Sequence, residues 1–511
     1  MLTEIGDAPL ALGDLLALAR GHAHARVTEG ALARMQASAE LIARKMAEEG
    51  ALYGITTGVG ASVVTAVPPE RSAELSLNLL RMHGCGTGRT LGEEAAAAVL
   101  ATRLTSLSRG ASGVRPVVAE RIAALLNERV VPVIPEEGSV GASGDLTPLS
   151  YVAAVLVGER EVLQDGRVVP AARALEALGL EPLVFGPKEA LALMNGTSVA
   201  TALGILAWER ARRLARLASA ITAVVSETIG GNPAHFDAFI HALKPHAGQE
   251  LVARWVSQDL GPHLEPPPPP TRLQDRYSVR CVPHIVGVLV DSLLWTEQVL
   301  ETELNGVSDN PVVDVERGLV LHGGNFYGGH VAQAMDMLKT AVANVADVLD
   351  RQLLLLCNPS ENGGLPENLV GVPASESATH HGFKAMGIAT SALAAEALKL
   401  TMPASAFSRS TELHNQDKVP MATIASRDLT RVVELTEQVA AIVLIAACQA
   451  ADLRAERTPQ HHRGPRTTAL LEALRERVPG LEGDRRMDVD IQAVLAMLRA
   501  DELPMGSAEL A

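Results

Sequence analysis

Residues 138–159, GSVGASGDLTPLSYVAAVLVGE, hold the groups best placed to do chemistry in this 511-residue chain. In Ala142-Ser143-Gly144 the amide nitrogen of Gly144 has no neighbouring Cβ to block it, so it can reach the carbonyl carbon of Ala142. Ring closure, loss of water and elimination of the Ser143 hydroxyl would leave an exocyclic methylene, an electrophile made from the backbone itself. The following Asp145-Leu146-Thr147-Pro148 reads as a helix start, with Thr147 as cap and Pro148 at the first helical position. A helix N-terminus there adds positive potential where an amine must attack. Taken alone, the segment is more simply an ordinary Gly-rich turn.

Other chemistries fit less well. Gly58-Val59-Gly60 and Gly84-Cys85-Gly86 lack dinucleotide-loop spacing, and no G-x-x-x-x-G-K-[ST] occurs. A serine nucleophile elbow needs G-x-S-x-G, but Asp145 follows Gly144. The pairs His380-His381 and His461-His462 are adjacent rather than four apart, which argues against metal ligation, and no metal is expected. Four cysteines, Cys85, Cys281, Cys357 and Cys448, lie far apart without a C-x-x-C pair. That pattern suits a reducing compartment and predicts a cytoplasmic protein.

The elements that must position Ser143 follow from composition. Hydrophobic residues make up 47% of the chain and aromatics only 3%, so an Ala/Leu-rich chain leans to helix rather than sheet. A formal charge of −15 disfavours nucleic acid and anionic membranes as partners. Residues 190–208 form the longest uncharged stretch. They contain Asn195, Gly196, Thr197 and Ser198, a cluster that a lipid-facing helix seldom carries. No membrane span is therefore expected. Glycine breaks up the first third, with short helices expected over 93–107 and 116–127. From Lys188 onwards the spacing predicts long helices over 189–229, 284–304, 330–357, 383–402 and 429–457. Pro266–Pro270 reads as a stiff extended connector. The expected fold is all-α. It is a single intertwined unit over 1–511, with a smaller Gly-rich part (1–187) carrying the reactive loop and a long-helix bundle (188–511).

The segment GSVGASGDLTPLS resembles the signature of the ammonia-lyase and aminomutase family, which builds 4-methylideneimidazol-5-one (MIO) from its own Ala-Ser-Gly. Six further segments match in order. They are Tyr53-Gly54 with Thr57-Gly58-Val59-Gly60, then ALMNGT ending at Thr197, QDRYSVRCVP from Gln274, NGVSDNP from Asn305, GGNF from Gly323 and HNQD from His414. All four tyrosines, Tyr53, Tyr151, Tyr277 and Tyr327, fall in or beside these segments, which scattered packing residues would not do. Tyr277 and Arg280 are three apart and share a face if that stretch is helical.

The resemblance implies roles. Ala142, Ser143 and Gly144 would form the MIO electrophile, with Asn195 and Tyr277 beside it. Tyr53 would remove the Cβ proton, which calls for a phenolate-favouring setting because the free pKa is about 10. Arg280 would hold the substrate carboxylate through its two-pronged guanidinium, assisted by Asn310. Gly60, Gln274 and Phe326 would line the site, and Gln416 would sit near the cofactor and the substrate ring. A homotetramer with shared active sites is implied too. The long runs apolar nearly all round, such as residues 439–448, agree with this because a monomer is expected to leave them uncovered.

Substrate choice is read at two places. Met82-His83 stands where the histidine branch has a small polar residue followed by His, and where the phenylalanine branch has two apolar residues. Gln416 stands where the histidine branch carries an acid. Together His83 and Gln416 point to tyrosine or a related arylalanine. The expected reaction is ammonia elimination giving an arylacrylate. A tyrosine or phenylalanine 2,3-aminomutase follows closely, because ENGGLP from Glu361, NFYGGH from Asn325 and HNQDKV from His414 also resemble that branch. A histidine lyase comes behind both. A non-catalytic helical scaffold would need a broken triad or a missing Tyr53 or Arg280, and neither is seen.

Overall fold

The Ala/Leu-rich runs fold as helices, joined by short strands that, among the described residues, form sheets of two or three strands. The computed structural model describes residues 1–49, 52–261, 272–461 and 463–510. The five-proline run and His462 lie outside them. The chain divides into two units, each gathered from three segments. One comprises Met1–Ala207, Glu297–Asp336 and Pro403–Arg427; the other comprises Trp208–Thr296, Met337–Met402 and Asp428–Ala511.

In the first unit, the helix Glu93–Ser108 is buried continuously from Ala96 to Ser108. It packs against Leu12–Ala19 and Pro116–Asn127, the latter opening on a proline at its first turn. Leu146–Leu156 is buried from Thr147 to Leu156, so this helix rises through the core directly after Gly144. The strands are short: Leu2–Ile5 pairs in parallel with His24–Val27, and Val312–Asp314 pairs antiparallel with Leu319–Leu321. That second hairpin follows the Ser308-Asp309-Asn310 segment, which the site uses.

The helices Val282–Asn305, Gly329–Cys357, Lys384–Lys399 and Ala422–Arg457 give the second unit all or part of their long apolar runs; the first three lie within a few residues of the expected positions, and the last begins seven residues earlier than expected. Two stretches, residues 277–305 and Ala422–Arg457, are long and apolar enough to cross a membrane, and the apolar window of the latter is 89% buried in the chain itself. Ion pairs take up its polar positions; Arg210 reaches Glu437 at 2.7 Å.

Three expectations need correcting. The helix expected over 189–229 is two helices, Glu189–Met194 and Ser198–Ile229, because Asn195 turns extended at φ −89°, ψ 91°. Thr147 does not cap its helix, which has Asp145 at the N-cap and no side-chain cap bond. The Asp145 carboxylate instead accepts the N–H groups of Val199 and Ala200, both at 2.9 Å, and so caps the next long helix. Residues 439–448 are covered within the single chain, each at most 2% exposed, so they give no argument for oligomerisation. Exposed apolar side chains of the second unit lie elsewhere, Val288, Trp295, Leu354 and Ile388 among them.

Candidate active site

Ala142, Ser143 and Gly144 form a tight turn. Ser143 has φ +50° and Gly144 φ +76°, and the Gly144 N–H donates to the Gly141 carbonyl at 3.1 Å. Two successive left-handed residues coil the chain on itself, a conformation glycine tolerates and serine adopts at a cost of about 1–2 kcal/mol. The turn is wedged against the break at Asn195. Gly144 and Gly196 form a parallel bridge, and Asp145 N–H donates to the Gly196 carbonyl at 2.6 Å. A Cβ on Gly144 would lie 2.3 Å from that carbonyl oxygen, so only glycine fits. Gly196 is fixed as well, because a Cβ there would stand 2.3 Å from Arg103 Nη1.

A cavity of about 780 Å³ opens over this turn, large enough for an aromatic amino acid. Its walls bring together Tyr53, Gly60, Ala142, Ser143, Asn310, Phe326 and Gln416, all expected, with Thr57, His322, Tyr327, Asp417 and Lys418 beside them. Asn195 lies just behind the turn. Its Nδ2 donates to the Asn310 carbonyl at 2.8 Å, while its Oδ1 is buried without a partner.

The Tyr53 hydroxyl accepts the Gly60 N–H at 2.8 Å. Burial pushes its pKa above the usual phenol value, the Gly60 N–H pulls it down, and the Glu412 carboxylate pushes it up again. Its ring meets that of His322 nearly perpendicularly, at 83° and 6.1 Å between centroids. Gln416 is held by both ends of its amide: Oε1 accepts the Thr411 hydroxyl at 2.8 Å, and Nε2 stands 3.4 Å from Ser143 Oγ. The loop that carries it runs left-handed through Glu412, Leu413 and His414, a strained turn of the kind that clusters at functional sites.

Besides Gly144 and Asn195, five expected residues are not on the cavity wall. Met82 is 60% exposed, and His83 ends its helix half-buried, its pKa lowered by burial and raised back by Glu412. Gln274, Tyr277 and Arg280 belong to the second unit. There Tyr277–Arg280 is a single helical turn with the guanidinium 4.6 Å over the Tyr277 ring, as their spacing predicts. Arg280 Nε donates to the Asp275 carbonyl at 2.9 Å, which leaves its other nitrogens available, and Tyr277 is 69% exposed.

Sequence reasoning missed His322, Tyr327, Asp417, Lys418 and Glu412 as neighbours of the reacting groups. It also missed the buried Lys188–Asp309 pair behind Asn195. Asp145 is buried, and its pKa is pushed up to about 6 by that burial. Asp145, Asp417 and Asp309 sit inside the matched motifs and His322 directly precedes GGNF, so proximity in sequence was the available signal.

The residues present fit a ring made from Ala-Ser-Gly: the turn is pre-coiled, Gly144 is sterically obligatory, and an orphaned amide oxygen waits one residue before Gly196. A helical protein whose electrophile is cut from its own backbone, beneath a cavity of amino-acid size, belongs to the ammonia-eliminating carbon–nitrogen lyases. The aromatic amino acid lyase family model matches residues 10–476, and the chain belongs to that family. Members depend on MIO, formed autocatalytically from Ala-Ser-Gly, here Ala142-Ser143-Gly144. Histidine ammonia-lyase from Paracidovorax citrulli is 40% identical over 485 residues, covering 94% of this chain and 93% of the relative. The histidine ammonia-lyase structure from Trypanosoma cruzi superposes with a TM-score of 0.89 at 34% identity, covering 98% and 94% of the two chains. Tyrosine aminomutase from Streptomyces globisporus superposes at 0.91, also at 34% identity, covering 98% and 97%.

Proposed function

We propose that this chain eliminates ammonia from an aromatic L-α-amino acid, with tyrosine or a related arylalanine as preferred substrate. The observation that carries the reaction is the coiled Ala142-Ser143-Gly144 turn lining the same cavity as Tyr53. MIO supplies an electrophile for the substrate amino group, which turns nitrogen into a leaving group. Tyr53 takes the Cβ proton as phenolate; the Gly60 N–H already on its oxygen stabilises that charge. Phe326 offers the substrate ring an apolar wall, and Asn310 and Gly60 shape the opening. Arg280 clamps the carboxylate in two-pronged fashion, with Gln274 and Tyr277 beside it. These three come from another copy of the chain in a homotetramer. The exposed Tyr277 and the bare apolar positions Val288, Trp295, Leu354 and Ile388 support that assembly. Four free cysteines suit a reducing cytoplasm.

The choice of ring rests on Gln416, a neutral amide held by the Thr411 hydroxyl, which offers a protonated imidazole no charge. Superposition does not choose, since at 34% identity a histidine lyase and a tyrosine aminomutase fit this chain about equally well, whereas the sequence relatives at 36–40% identity are histidine ammonia-lyases and favour histidine. The second reading, a histidine ammonia-lyase, draws on the 40% identical relative and on Asp417, a carboxylate on the cavity wall. A 2,3-aminomutase would use the same residues and return ammonia to Cβ. Incubation with tyrosine, phenylalanine and histidine, with arylacrylates and β-amino acids resolved by mass, separates all three.

A further inference from the structure

The helix Glu189–Met194 is six residues long, and both of its flanks are tied to one carboxylate. Lys188, at its N-cap, is left-handed at φ +67°. Its Nζ meets Asp309 Oδ2 at 2.6 Å, both side chains fully buried. Asn195, at its C-cap, places Nδ2 3.4 Å from Asp309 Oδ1, which also accepts the Asn310 N–H at 2.7 Å. Arg103 stitches the same segments together, donating to the Ser308 carbonyl at 3.0 Å and to the Ala192 carbonyl.

This arrangement is expensive. A buried ion pair is weak support for stability, since an apolar pair of similar volume commonly does as well or better. Lys188 also carries a left-handed backbone, and burial depresses its pKa. What a carboxylate does that an apolar group cannot is orient an amide. It only accepts hydrogen bonds, so together with the Asn310 carbonyl, which accepts the same Nδ2 at 2.8 Å, it draws the nitrogen of Asn195 inward and turns the oxygen away. That oxygen is the buried, unpartnered Oδ1, one residue before the glycine that abuts Gly144.

We propose that Asp309, charge-compensated by Lys188, is a positioning residue for maturation. It fixes the Asn195 amide so that its free oxygen is presented to the Ala142-Ser143-Gly144 turn, and ring closure there depends on it. The proposal rests on autocatalytic ring formation in this family and adds the group that makes the turn competent.

The test uses full-length Lys188→Met/Asp309→Leu and Lys188→Met/Asp309→Asn beside the wild type, each read by thermal melting and intact mass. The leucine chain keeps volume and removes every acceptor. It is expected to fold yet retain the two waters that the wild type has lost. The asparagine chain keeps an acceptor oxygen, held by the Asn310 N–H, and is expected to mature. Lys188→Met/Asp309→Ala is read the same way if the leucine chain does not fold. A folded acceptor-free chain with the full mass loss overturns the proposal, as does a folded asparagine chain without it. A wild type of full mass would instead overturn the cofactor, so the two failures are distinguishable.

Discussion

The hydroxyl oxygen of Tyr53 accepts the backbone N–H of Gly60, seven residues further along the same loop, at 2.8 Å. That bond leaves the phenolic proton free to depart and stabilises the oxygen once it has gone. Tyr53→Phe keeps the ring and deletes this oxygen alone. Turnover should fall by about 10²–10⁴-fold, with the melting temperature little changed. Near-normal kcat would show that another group takes the Cβ proton.

The pH dependence follows from the neighbours of that oxygen. The base must be deprotonated, and burial together with Glu412 raises its pKa, so activity should climb into the alkaline range. Glu412→Gln removes the negative charge while retaining an acceptor for the Ala61 N–H, now bonded at 2.8 Å. The rising limb of kcat/KM should then move to lower pH. A shift upward, or none, would place Glu412 outside the field of Tyr53.

Ser143→Ala should leave a folded chain with unaltered mass and no turnover. Ring formation consumes the Ser143 hydroxyl as one of two lost waters, and alanine has none to lose. Loss of both waters from this variant would move the electrophile elsewhere.

Glu227 offers a stability test remote from the site. It is mostly buried, and burial pushes its pKa from 4.5 to about 7 although it accepts the Gly464 N–H. Between those values the folded chain holds a proton that the unfolded chain has released, so stability falls as pH rises through that window. The shift corresponds to at most about 3 kcal/mol. Glu227→Gln keeps an oxygen for Gly464 and removes the ionisation. It should melt above the wild type at pH 8 and level with it near pH 4; an equal offset at both pH values would remove Glu227 as the cause.

Assembly can be checked on the second unit. Val288 and Trp295 are seven apart on Val282–Asn305, two turns along one face, and are 56% and 39% exposed. Light scattering should give a tetramer mass. Val288→Glu should lower mass and activity together, because Arg280 then has no neighbouring copy to serve. A fully active monomer would overturn the shared site.

These residues also show what local sequence can and cannot specify. Pro116–Asn127 was legible to the residue because a proline opens it and the apolar positions recur at helical spacing. The Ala142-Ser143-Gly144 turn was legible because its chemistry is local. The break at Asn195 was not: apolar spacing continues on both sides, and the interruption is held from Ser308, Asp309 and Asn310, more than a hundred residues away. Thr147 looked like a cap by type, but Asp145 finds its donors in a different helix. His322 stands directly before GGNF, but its contact with Tyr53 arises only through the fold.

The last expectation concerns the ring of the substrate, where His83 and Gln416 act at different ranges. His83 suits either histidine or tyrosine, since both end in a polar atom. Gln416 separates them, because its amide is held by the Thr411 hydroxyl and carries no charge. A site that hydrogen-bonds a substrate hydroxyl can reject the analogue lacking it by up to about 10⁴–10⁵. Tyrosine should therefore beat phenylalanine in kcat/KM, with histidine poorest. His83→Phe removes the polar partner and adds apolar surface, so it should narrow or invert the tyrosine-to-phenylalanine ratio; an unchanged ratio would remove His83 from the specificity site. Gln416→Glu supplies the missing charge with little change in volume and should raise histidine relative to tyrosine. If histidine is already the best substrate of the wild type, Asp417 becomes the candidate anion and the reading of Gln416 falls.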